Sequence, residues 1–403
     1  MEEKQIQPTL YETLFKKEWS YYTGAVLIVI FALALSMFGS TWGVSGALGT
    51  WGSMFLGLFG IDTAAAFGND TSKYNFFANQ ASLTDIGLLL GALIACLLAA
   101  QWKIRNIKHY KQALAAIIGG LLMGIGAKMA GGCNIGGLFS QLPQFSLAAW
   151  LFLLFVFLGA TVGGKLLKFF MPPVSNKRPN RKRLTAEQKA RNKKIQITAA
   201  VVIILVLLVV AFAVAPTYPA APLMMVIGVG LGYSMQRSRF CFTAAYRDPM
   251  LTGETKLTRA VIVAFALSTI LFFGKHAAAF GTDLSKLTAD NMPGNVINLQ
   301  MIIGSFIFGI GAVLAGGCAS GTFVRMGEGY VQLWICFPFF CLGNAVAGGI
   351  TKATAGTWFT AGSKVYLPQV FGGLVPALLI QLAALLALWV LASWWESKKR
   401  ASF

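Results

Sequence analysis

Gly124-Ile125-Gly126-Ala127-Lys128-Met129-Ala130-Gly131-Gly132-Cys133 recurs as Gly309-Ile310-Gly311-Ala312-Val313-Leu314-Ala315-Gly316-Gly317-Cys318, with eight of ten positions identical at an offset of 185 residues. Self-similarity at long period marks two copies of one structural unit. Doubled membrane units place their working site where the copies meet, commonly on broken helices. Small residues also let helix backbones approach closely, so packing accounts for part of the phrase. Counting Gly136 and Gly321, each extended copy holds five glycines, more than packing requires. The phrase therefore predicts a path through a membrane with two facing thiols.

Composition supplies the membrane. Of 403 residues, 56% are hydrophobic and only 12% charged, whereas a soluble chain carries about a quarter charged residues. Apolar stretches of spanning length begin near Tyr21, Asp85, Lys111, Phe145, Gln196, Lys256, Val296, Val331 and Gln369. Two shorter runs, Leu48–Ile61 and Ala221–Met235, read as re-entrant or tilted segments, because broken helices are tolerated only inside protein. The expected fold is an all-α integral membrane protein of nine to eleven transmembrane or re-entrant helices in two homologous, inverted repeats. Pro172-Pro173 ends a helix ahead of a basic polar stretch. The expected divisions are a cytoplasmic N-terminal segment (1–20), a first membrane repeat (21–170), a basic cytoplasmic linker (171–194), a second repeat (195–394) and a cytoplasmic tail (395–403). The polar start, Met1 to Ser20, runs into a long apolar stretch and does not read as a cleavable signal peptide.

The net charge of +19 invites a nucleic-acid reading, but its placement argues against one. Nine basic residues lie between Lys177 and Lys194 against one acid, Glu187. Others flank the spans: Lys103, Arg105, Lys108 and Lys111, then Arg237, Arg239 and Arg247, then Lys398, Lys399 and Arg400. Short basic loops mark the cytoplasmic side, and the near-neutral stretches Asp62–Asp85 and Lys275–Asn295 are expected outside. With both basic loops inside, the helix ending at Cys133 runs outward and the one ending at Cys318 runs inward.

Six cysteines, with no Cys-x-x-Cys and only His109 and His276, exclude zinc-type spacing. No metal site and no cofactor are expected, although a soft-metal path using thiols with Met224, Met225 and Met235 is chemically allowed. Cys96, Cys336 and Cys341 lie in plainly apolar runs and read as small buried hydrophobes. Cys133 precedes Asn134 and Gly136, and Cys318 precedes Ala319, Ser320 and Gly321. Both sit where a helix meets glycine-rich backbone and restarts. Helix N-termini and glycine nests offer unpaired N–H groups to an anion. The anion-binding set is therefore Gly131, Gly132, Asn134, Gly136, Gly316, Gly317, Ser320 and Gly321, with Arg239 and Lys128 as its cations. Cys241, in Gln236-Arg237-Ser238-Arg239-Phe240-Cys241, has no counterpart among Trp42–Phe59. Its arginines read either as an anion-attracting field or as topological anchors. Lys128, whose twin is Val313, reads as an anion contact or, more simply, as a snorkelling or paired lysine.

Ala130-Gly131-Gly132-Cys133, Ser238-Arg239-Phe240-Cys241-Phe242-Thr243-Ala244-Ala245 and Ala315-Gly316-Gly317-Cys318-Ala319-Ser320-Gly321 resemble the signatures of the YeeE/YedE family. Gln144-Phe145-Ser146 with Trp150, and Arg325 with Gly327-Glu328-Gly329, resemble further stretches of its YedE branch. The resemblance implies a multi-pass protein of the bacterial inner membrane related to thiosulfate-uptake transporters, in which cysteines on a narrow central path pass the anion inward. It implies Cys133, Cys241 and Cys318 as the pathway cysteines, a selenium compound as the alternative cargo, and a small soluble sulfur-carrier protein as partner. No phosphate-loop signature is present, so ATP use is not expected. A membrane sulfurtransferase needs an activated thiol with a base or resolving cysteine, and no histidine adjoins the three cysteines in sequence. The expectation is a transporter and not an enzyme.

Overall fold

The computed structural model describes residues 11–69, 74–170, 185–280 and 294–401. Residues 1–10 of the N-terminal segment, 171–184 of the linker, 281–293 of the second outer stretch and 402–403 of the tail lie outside the described residues. The described chain is helical, with isolated bridges joining loops at Arg105 and Tyr330, Ser146 and Tyr366, and Ile297 and Ser363. A short turn, Glu12–Lys16, precedes α1 (Tyr21–Met37), α2 (Ser45–Gly57), α3 (Thr63–Phe67), α4 (Gln80–Leu98) and α5 (Tyr110–Met129). A short helix, Asn134–Phe139, then leads to α6 (Leu147–Phe170) and α7 (Ala186–Val214). The second half runs through α8 (Ala221–Ser238), α9 (Phe242–Leu251), α10 (Lys256–Phe280), α11 (Leu299–Ala315), α12 (Ala319–Gly327) and α13 (Val331–Ala353). It closes with α14 (Leu367–Val370) and α15 (Leu374–Ala401). Among the described residues eight helices are long and apolar enough to cross a membrane, and α1 is a shorter apolar helix beside them.

Two refinements concern the short runs and the linker. With 18 residues, α8 rises about 27 Å and packs along α4, although it is not one of the eight helices apolar enough to cross by themselves. With 13 residues, α2 rises only about 20 Å and remains a buried partial helix against α13. The described end of the basic linker is the beginning of α7, opened by a capping box in which Thr185 and Gln188 exchange hydrogen bonds. Ala200 is the sole buried residue along that helix, so α7 lines the outside of the bundle.

Glycine contacts give the relative directions of the helices. Gly119 of α5 abuts Ala315 and Gly311 of α11, while Gly126 abuts Phe308 and Gly304. Numbering rises along one helix as it falls along the other, so the two copies of the repeated phrase run antiparallel. By the same reading α5 lies parallel to α13 (Gly120 on Cys336, Gly124 on Phe340), and α11 lies parallel to α6 (Gly159 on Phe306, Gly163 on Ile310). Each half thus packs its central helix on a helix of the other half, as an inverted repeat about a twofold axis requires. These contacts leave no room for a methyl group. A Cβ at Gly159 would stand 2.0 Å from the Phe306 carbonyl oxygen, and one at Gly124 would stand 2.4 Å from that of Phe340. Such close backbone approach, rather than apolar attraction, is what holds helices together in lipid.

The ends of the bundle differ in charge. Arg105, Arg237, Arg239, Arg259 and Arg400 gather at one end, where they hold Glu328, Phe15, Glu18 and Glu396. The other end carries few cations: Lys128, Lys275, Lys352 and Lys364 border amide- and threonine-rich loops.

Candidate functional site

Three helices break in the middle of the bundle, each at a cysteine. Gly131 (φ +70°) ends α5 and Gly316 (φ +87°) ends α11 in the left-handed region, where a side chain is strained. Gly132 is dictated by a second need: its Cβ would lie 2.5 Å from the Gly137 nitrogen of the returning chain. Cys133, Cys318 and Cys241 then stand at the N-cap positions of the Asn134–Phe139 helix, α12 and α9, each with extended backbone. Their carbonyls accept the first helical bonds, from Gly137 (2.7 Å), Thr322 (2.7 Å) and Ala245 (3.1 Å). Their side chains therefore sit among N–H groups that no earlier turn satisfies.

Around Cys133 the backbone N–H groups of Gly136, Ile135 and Val44 are turned on the sulfur. Val44 is itself the N-cap of α2. It occupies in the first half the place that Cys241 occupies in the second, contributing a backbone group instead of a thiol. Around Cys318 lie the Gly321 backbone, the Ser320 hydroxyl (Oγ to Sγ 3.5 Å), Thr243 and the Cys241 thiol. A Cβ on Gly321 would lie 3.6 Å from both sulfurs, so the absent side chain leaves the gap in which the two thiols meet. All six cysteines are free thiols.

A polar thread joins the two cysteine sites. The Asn134 amide donates to the Tyr246 hydroxyl (2.9 Å), which donates to Thr243 Oγ1 (3.3 Å), beside Cys318. Asn134 is fully buried, and its Oδ1 has no protein partner. Near the thread, Phe139 and Phe240 each pack edge-on against Phe242, with Phe265 beside them.

Next to the Cys133 turn lies a cavity of about 770 Å³ lined by Trp42, Ser53, Asn69, Lys128, Gly131, Gly132, Gly136, Gln141, Asn295 and Asn344. Its walls are amides, hydroxyls and glycine backbone, with Lys128 as the cation. Lys128 lines this space and is paired there, its Nζ donating to Asn69 Oδ1 at 3.5 Å, as the paired-lysine reading expects. Asn69 is in turn held by Ser53 Oγ (2.9 Å) and the Ala345 carbonyl (3.0 Å). The indole N–H of buried Trp42 has no protein acceptor.

The expected site residues thus divide. Cys133 with Gly131, Gly132, Asn134 and Gly136 forms one cluster, and Cys318 with Gly316, Gly317, Ser320, Gly321 and Cys241 forms another. Arg239 belongs to neither. It is half exposed and bound to Glu18 (Nε to Oε1 2.7 Å), tying the N-terminal segment down. Arg237 is wholly buried, donating to Gln236, Gln101 and the Phe15 carbonyl, and Arg247 pairs with Asp248. The topological-anchor reading of these arginines is the one their partners support. The cation near the Cys241 thiol is Arg325 of α12, whose guanidinium lies over the Tyr330 ring. Sequence reasoning assigned Arg325, Tyr246 and Thr243 no role on the path, although Thr243 and Arg325 lie in the stretches that resemble the family and Tyr246 follows Cys241 within one and a half turns. Both histidines serve elsewhere, His109 capping α5 and His276 bonding Tyr366. Among the described residues no group of three His, Cys, Asp or Glu is placed to hold a metal ion.

Comparison with known proteins agrees with this geometry. The chain is 30% identical to the probable transporter YedE of Escherichia coli and 28% identical to that of Salmonella typhimurium, each over 94% of both chains. It is 37% identical to the thiosulfate transporter TsuA of Spirochaeta thermophila over 34% of this chain and 37% of that one. The profile of the sulphur-transport family (Sulf_transp) matches residues 1–162 and 237–402, one stretch for each half. With its paired broken helices and its spans, the chain is a multi-pass membrane transporter that belongs to the sulphur-transport (YeeE/YedE) family.

Proposed function

We propose that the protein imports a small sulfur-containing anion, thiosulfate first, by passing it along Cys133, Cys318 and Cys241. The observation that carries this reading is the placement of these thiols at three helix breaks, joined by the Asn134–Tyr246–Thr243 thread. The amide-lined cavity with Lys128 gathers the anion and begins to replace its water. Backbone N–H groups at Cys133 take over, and the thiols then offer successive weak S–H donors. Weak binding at several sites lets an anion enter and also leave. A terminal sulfur suits thiols better than an all-oxygen anion does, since both partners are soft and polarizable.

The bundle's basic end faces the cytoplasm by the positive-inside rule. The Lys128 cavity then opens outward, the N-terminal segment lies inside, and the membrane is the bacterial inner membrane. The partial match to a thiosulfate transporter supports the cargo, whereas the two whole-length relatives are named only as probable transporters. Selenium anions share the charge and soft chalcogen chemistry and form the alternative cargo. A soluble sulfur-carrier protein fits as the receiver at the basic end. Purified protein in proteoliposomes, given thiosulfate, sulfate and selenite side by side, separates these readings. Thiosulfate uptake well above sulfate supports the proposal; selenite alone transfers it to selenium; uptake of none of the three refutes it.

A further inference from the structure

Asp85 is the most anomalous charge-bearing residue in the molecule. It lies in α4 at 0% exposure, and neither carboxylate oxygen has a hydrogen-bond partner. Burying an ionised carboxylate without donors or a cation is prohibitively unfavourable, so the resident form there is the neutral acid. An apolar residue of similar size would fill the place at no such penalty. Ionisable side chains within spans are by default functional.

Its surroundings make it a specific kind of site. Ala81, one turn toward the outer end on the same face of α4, lines the Lys128 cavity. Ser82 accepts the Trp51 indole N–H of α2, and Leu89 meets Gly327 of α12, the helix that Cys318 caps. Asp85 thus stands between the outer cavity and the α12 side of the thiol path. The ionisable group that faces it is the Cys341 thiol of α13. Helix α2 carries no ionisable residue. From α8, Arg237 and Tyr233 lie at the other end of α4, where Arg237 binds Gln101. From α12, Arg325 is laid over Tyr330. From α7, the charged residues sit at its basic start, with Lys193 over Tyr11, and the Glu12–Lys16 turn keeps its charges paired to each other. No cation among the described residues reaches Asp85.

We infer that Asp85 is a proton-binding site that couples anion import to proton import. The inference rests on the reading that the path carries an anion. A dianion in the cavity or at the thiols repels ionised Asp85 and not protonated Asp85. Anion and proton therefore favour each other's binding, and linkage makes the effect reciprocal. The step is a simple exchange: an O–H bond forms on Asp85 with a proton from outer water and breaks when that proton leaves to the inner side. No electron moves. The consequence is physiological, since an anion entering a negative-inside cell is opposed by the potential and a companion proton lowers the charge carried.

Proteoliposomes holding a pH-sensitive dye test this directly. In the wild type, an inward proton gradient of one pH unit raises thiosulfate accumulation about tenfold for one proton per anion, and the lumen acidifies as the anion enters. Asp85→Asn, a neutral isostere, retains downhill uptake but loses the stimulation to under about twofold and stops acidification. Anion uptake with no proton movement in the wild type overturns the inference while leaving the proposed function standing. An unchanged proton response in Asp85→Asn does the same. Infrared spectroscopy gives a check that needs no transport: a protonated-carboxyl band in the folded protein near neutral pH, absent in Asp85→Asn, is the expected result, and a wild-type spectrum without it overturns the inference.

Discussion

The two halves of the molecule make the same backbone break and furnish it differently. At Cys133 the buried thiol is met by backbone from Val44 and Gly136, and its neighbours Gly131, Gly132 and Gly136 line a wide polar cavity with Lys128. At Cys318 the thiol is met by a second thiol, two hydroxyls and the nearby Arg325, with a cluster of phenylalanines close by. Lys128 of one copy is Val313 of the other, fully buried in α11. On the proposed reading, symmetry builds the path and the departures from symmetry polarise it: a polar mouth gathers the anion, and a buried thiol pair passes it on.

The largest blow to the second site is Gly321→Val, which pushes branched carbon into the gap between the sulfurs of Cys241 and Cys318. Two thiol contacts to an anion are lost at about 1.5–3 kcal/mol each, so uptake falls about a hundredfold or more. Size-exclusion of the purified variant shows whether the fold survives; normal uptake by a folded variant contradicts the path. Next comes the asymmetric pair. Cys241→Ala lowers uptake about ten- to a hundredfold through one such contact, whereas Val44→Cys, which adds the thiol the first half lacks, stays within about threefold because Val44 contributes only its backbone. Equal losses in the two would erase the distinction between the halves.

Lys128→Val writes the second copy's residue into the first. The half-saturating anion concentration rises about fivefold at low salt, and the difference shrinks as ionic strength screens the lysine. A salt-independent effect would mean that Lys128 acts through packing. Tyr246→Phe removes one hydroxyl from the thread between the halves and slows uptake by about two- to tenfold at unchanged expression. The smallest effect belongs to Cys96→Ala and Cys336→Ala, buried thiols off the path, whose uptake changes less than about twofold even where thermal stability drops by about 1 kcal/mol.

The duplicated Gly-Gly-Cys phrase was legible because left-handed turns and close backbone approach admit glycine alone, at Gly131, Gly132 and Gly316. Hydrophobic run length placed the spans for the same elementary reason, the thickness of a bilayer. Other parts had no signal in the sequence. Tyr246 meets Asn134 across 112 positions, and a tyrosine on a short polar helix looks like any interfacial aromatic. The cavity joins the glycines of the repeated phrase to α2 and to loop residues such as Asn295, and nothing in the sequence brings those separate stretches together. Arg237 and Arg239 looked like a field near a thiol because their partners, the Phe15 carbonyl, Gln101 and Glu18, lie far away in sequence.

The measurement that bears most directly on the thiol path is uptake of radiolabelled thiosulfate into proteoliposomes carrying Cys133→Ala, set beside Cys336→Ala at equal protein. The two thiols are equally buried, and only the first stands at a helix break. The account predicts uptake by Cys133→Ala reduced about ten- to a hundredfold, with Cys336→Ala near the wild-type rate. Equal rates in the two variants would contradict it.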